Sequence, residues 1–72
     1  MLTVQAMHDA IQAAIQRAER AGDAADLHEL QKIAGYLMRP AHAAGDGETE
    51  RAFRILAANA ANIRERLLKD EE

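Results

Sequence analysis

Three histidines, His8, His28 and His42, are the first side chains to test for chemistry in this sequence. A zinc or nickel site needs its donors at a defined spacing, as in H-E-x-x-H, where two imidazoles one turn apart share a helix face. No histidine here pairs with another His, Asp or Glu in a recognised motif of that kind, and His28-Glu29 is a bare dipeptide. The three read as solvated or edge residues, with His8 bordering an apolar stripe and His42 in a loop. Cysteine and serine are both absent, so thiolate ligands, thiol nucleophiles and serine nucleophiles are excluded. Thr3 and Thr49 fall where helix caps belong. Gly45-Asp46-Gly47 precedes a helix and has the layout of an anion-binding helix start, but Asp46, Glu48 and Glu50 would repel a phosphate there. The remaining carboxylates lie among basic neighbours, with no pair marked for acid–base work. This pattern points away from an enzyme and from any metal or cofactor.

Composition narrows the classes further. A chain of 72 residues makes one small domain, spanning 1–72, with a limited core. The net charge is −3, and it is spread without a basic block: 1–22 is balanced, while 23–39 and 45–72 are each slightly acidic. Nothing in that distribution supports a binder of phosphate backbones. The longest apolar run is a few residues, too short for a membrane span. Met1-Leu2-Thr3-Val4-Gln5 lacks the basic start and apolar block of a secretory leader, so a cytoplasmic protein is expected. High Ala and Arg usage suits a GC-rich bacterial or phage genome.

Helices must position whatever this chain does. Ala, Leu, Gln, Glu and Arg dominate, and no stretch alternates apolar and polar residues over a strand's length. The predicted fold is all-α: a three-helix bundle, or a helical hairpin plus a third helix, over about 3–21, 24–39 and 48–69. Thr3 caps the first helix, although Ala6 stands where a capping box would have Glu. Val4, Met7, Ile11, Ile15 and Ala18 line one side of it, and Gly22 stops it. Asp23 caps the second helix, whose stripe is Leu27, Leu30, Ala34 and Leu37, flanked by Ile33 and Met38. Pro40 is expected to end that helix, because proline pushes the preceding residue out of helical geometry. Residues 40–47 then form a flexible loop. Asp46 or Thr49 caps the third helix, and Asp70-Glu71-Glu72 make a frayed acidic tail at a helix end already negative.

Phe53, Leu56, Ala60, Ile63 and Leu67 step by three and four, the coiled-coil-like seam of a tight bundle. The expected packing is an antiparallel pair of helices one and two with helix three in its groove. The core would comprise Val4, Met7, Ile11, Ile15, Leu27, Leu30, Leu37, Phe53, Leu56, Ile63 and Leu67. That is thin for three long helices, so completion by self-association, with a dimer favoured, is expected.

Some residues fall outside the stripes. At about 100° per residue, Tyr36 points well past a right angle from the second stripe. Ile55 does the same on helix three beside Ala58, Asn59 and Asn62, and Leu68 leans out on the other side. Tyr36, Ile55, Asn59 and Asn62 are the candidate partner-binding residues, since tyrosine is favoured at interfaces. The function this supports is a non-catalytic protein–protein interaction module: an inhibitor, adaptor, regulator or small assembly subunit that occupies a partner's surface. The alternative is a small dimeric helical regulator that binds nucleic acid through arginines of helix three. The acids Asp23, Asp26 and Glu29 count against a helix-turn-helix at Gly22-Asp23.

Overall fold

A computed structural model describes residues 3–70. Within them the chain forms three α-helices and no strand: α1 (Val4–Ala21), α2 (Ala24–Ala43) and α3 (Gly47–Asp70). The expected three-helix, all-α bundle is what folds. Asp70 is the last residue of α3; Glu71 and Glu72, the rest of the acidic tail, lie outside the described residues.

Local chemistry sets most of the boundaries. Thr3 has extended backbone, and its hydroxyl accepts from the Ala6 N–H at 3.0 Å, which satisfies one of the amides a helix start leaves unpaired. At the other end of α1, Gly22 takes φ 67° and donates to the Glu19 carbonyl, while the Asp23 N–H reaches Ala18. This is a Schellman turn, and only glycine enters that left-handed conformation without a Cβ clash. Asp23 then serves both helices, because its carboxylate accepts from the Asp26 N–H at 3.0 Å and opens α2. Two residues thus reverse the chain.

Pro40 does not end α2. The helix continues four residues past the expected stop at Arg39, to Ala43, so the connection to α3 shrinks from the expected 40–47 to 44–46. Proline costs a helix one amide donor and some steric strain, but that cost is finite. Here the added turn buries Ala41 and ends in a second Schellman arrangement. Gly45 sits at φ 73° and donates to His42, and the Asp46 N–H donates to Ala41 at 2.9 Å. The gained contacts and hydrogen bonds outweigh the lost one. His42 accordingly belongs to the last turn of α2 and not to a loop.

Asp46 is the cap of α3. It accepts the Thr49 N–H at 3.1 Å and the Thr49 hydroxyl at 2.6 Å. These bonds, the hydroxyl first, hold its carboxyl below the ordinary value of 3.8. A depressed pKa contributes stability that is present above the unfolded value and lost as pH falls through the folded one. Asp46→Asn keeps a capping oxygen but does not titrate. Its melting temperature should therefore fall below that of the wild type at neutral pH, and the gap should close as pH drops below about 4. Thermal melts followed by circular dichroism across that range test this; a gap independent of pH contradicts it.

The helices run up, down, up. The starts of α1 and α3 lie together, where Val4, Gln5 and His8 meet Glu48, Thr49, Ala52 and Phe53. Their later turns are joined by Arg66, which donates to Glu19 at 2.9 Å. The closest-packed pair is α2 with α3, and α1 lies on that pair with fewer contacts to each, whereas helix three was expected in the groove of a hairpin of helices one and two. Ala34, Ala41 and Ala60 are buried on α2 and α3, whereas Ala18 is the one buried alanine of α1. Small residues let helix axes approach, so the alanine-bearing faces pair most closely.

The core joins Ile11, Ile15, Ala18, Leu27, Leu30, Ala34, Phe53, Leu56, Ala60 and Ile63, with Leu37 and Leu67 half-buried at its margin. Of the expected core, Met7 is half-buried and Val4 is 49% exposed. Val4 is the first residue of α1, at the end of the bundle. The Cα envelope measures 42 × 22 × 14 Å. Its thinnest dimension is two helix layers about 9 Å apart, which explains why few residues are enclosed on every side.

Candidate interaction surface

What the core leaves outside is the more informative part. Tyr36 is 65% exposed and Ile55 61%, with Val4, Ile33 and Leu68 also well out. The outward positions expected for Tyr36, Ile55 and Leu68 are those the structure has. Ile33, expected at a stripe's flank, is 46% exposed. That placement was not legible from α2 alone.

Tyr36 does not stand bare. The Arg39 guanidinium, one turn on, lies 5.6 Å from the ring centroid, a cation–π distance that orients the ring along the helix. Ile55, Asn59 and Asn62 step by four and three, so they form one outward line on α3, and all three are exposed. Tyr36 and Ile55 are on different helices, so a partner using both has to bridge α2 and α3.

Gly35, beside Tyr36, has nothing within 4 Å of where a Cβ would sit. No neighbour in this chain requires a glycine there. With Met38, Arg39, His42 and Glu50 it lines a shallow depression of about 410 Å³. Glu50 governs that rim. Its carboxylate pairs with the His42 Nδ1 at 2.7 Å and accepts from Arg54 at 2.8 Å, tying the last turn of α2 to the first turns of α3. The Glu50–Arg54 pair has the acid-before-base, four-residue spacing that favours contact on a helix face.

A second cleft, about 350 Å³, opens where α1 and α3 begin. His8 forms one wall. Its ring centroid lies 6.2 Å from that of Phe53 at a 58° tilt, and its Nδ1 lies 3.3 Å from Asp9. This is the edge position expected for His8. Among the described residues no three His, Asp or Glu side chains gather as a metal would need. Two arginines of α3, Arg54 and Arg66, are held by the carboxylates Glu50 and Glu19. No helix of the described residues is long and apolar enough to cross a membrane. No protein-family model matches this sequence, and no curated protein or solved structure matches it either.

Proposed function

We propose that this protein is a non-catalytic interaction module that works by occupying the surface of another protein, as an inhibitor, adaptor or small assembly subunit. The observation that carries this reading is the pair of large apolar side chains, Tyr36 and Ile55, held outside a core that closes without them. Interfaces draw most of their energy from a few such anchors, and tyrosine is prominent among them. Asn59 and Asn62 flank Ile55 with exposed amides that can satisfy a partner's backbone. A dimeric, cytoplasmic regulator encoded by a bacterial or phage genome is the setting that fits this composition.

The arginine-based alternative is weaker, because Arg54 and Arg66 already face carboxylates. Truncation decides between the two. Tyr36→Ala and Ile55→Ala should each weaken partner capture by about 2 kcal/mol, roughly thirtyfold, while helicity by circular dichroism stays unchanged. Affinity capture that brings down specific RNA or DNA and no protein would overturn the proposal.

A further inference from the structure

The outward side of α2 carries a stripe stepping by four and three, opposite the core: Ala25, Glu29, Lys32, Tyr36, Arg39 and Ala43, all exposed. We infer that a second copy of this chain covers it, with the two α2 helices antiparallel and their twofold axis level with Ala34. The inference rests on the interaction reading above and names the partner for one part of that surface. In this register Glu29 faces Arg39 of the second copy, Lys32 faces Tyr36, and Ala25 faces Ala43. Symmetry makes each pairing occur twice. These are the layers an antiparallel helix pair forms from positions three and four apart. Opposite charges meet, an ammonium meets an aromatic face, and the end layers are small enough for close approach.

Within one chain the same groups already show these affinities. Lys32 lies 3.2 Å from Glu29, and Arg39 lies over Tyr36. In the pair, each carboxylate and each ring gains a second cation from the other copy. Ile33, 46% exposed, borders the stripe one residue from the axis. It therefore meets Ile33 of the second copy with an axial offset of about 3 Å. The arrangement covers two of the large apolar side chains that the core leaves out.

The other helices do not offer this match. The outward stripe of α3 is Arg51, Ile55, Ala58, Asn62, Glu65 and Lys69, likewise exposed. Paired with itself in the same way, it sets Arg51 against Lys69 and Ile55 against Glu65. On α1 the exposed residues Asp9, Gln16 and Arg20 complement one another in charge but bring no large apolar side chain, and Ala13 between them is half-buried.

Register and direction are both testable in the full chain, which has no cysteine of its own. Ala25→Cys and Ala43→Cys chains, mixed and oxidised, should cross-link to each other. Neither should cross-link alone, because like positions would stand about 27 Å apart. Sedimentation should show the wild type associating. Glu29→Arg and Arg39→Glu should each raise the dissociation constant roughly tenfold or more, and the double exchange should restore it. Cross-links formed by either cysteine variant alone, a wild type that stays monomeric at high micromolar concentration, or single charge reversals without effect would each overturn this inference. A monomeric wild type that still captures a protein through Tyr36 would leave the broader interaction proposal standing.

Discussion

Phe53→Ala should leave little of the chain folded. Phe53 is 2% exposed and is the largest of the fully enclosed side chains, ahead of Ile15 and Leu27. Removing a buried phenyl ring forfeits its transfer free energy and leaves a cavity that the neighbours fill only in part, a loss of about 3–5 kcal/mol. A domain of this size has a total stability on the order of 5 kcal/mol. The substitution therefore removes most of that margin, and the helices lose the tertiary packing of their apolar faces, from which most helical stability in proteins comes. The ring also lines the cleft beside His8. Urea titration followed at 222 nm is the check. A midpoint close to the wild-type value would mean that the centre of the core is elsewhere.

Ala60→Leu should destabilise by the opposite route. Ala60 is fully enclosed on α3, in one cluster with Leu56, Ile63, Leu30 and Ala34. The larger side chain is the more hydrophobic one and nearly as good a helix former, so hydrophobicity alone would favour the change. The added methylenes have no space, however, and must push α3 off its neighbours or force strained rotamers, at a cost of about 3 kcal/mol. The control is Ala58→Leu, two residues earlier and exposed, which should shift the melting temperature very little. If both substitutions behave alike, Ala60 is not the spacer that lets the helices meet.

These two residues differ in how visible they were. Phe53 could be placed in the core from spacing alone, because a lone aromatic residue on a three–four stripe has few other places to go. Ala60 could be placed on the stripe, but its indispensability comes from what stands across from it. The same division holds at the surface. Tyr36 and Ile55 were legible as outward because their angular positions depend only on their own helices. The exposure of Ile33, the burial of Ala41 and the exposure of Val4 were not, since each depends on how far its own helix runs or on what packs across from it.

The chain alone therefore determined the helices, most of their caps and their inward faces: Thr3 and Asp23 open the first two, Asp46 or Thr49 the third, where the structure uses Asp46, Gly22 closes the first, and the apolar period orients them. Those signals act within about four residues, the reach of a helical hydrogen bond or a capping side chain. Only the tertiary structure decided that α2 would run through Pro40, that α2 and α3 would form the closest pair, and that His42, Glu50 and Arg54 would meet at their junction. Each of those outcomes is a competition between a local penalty and contacts made with another helix. A linear sequence displays the penalty, while the size of the compensating contact exists only once all three helices are in place.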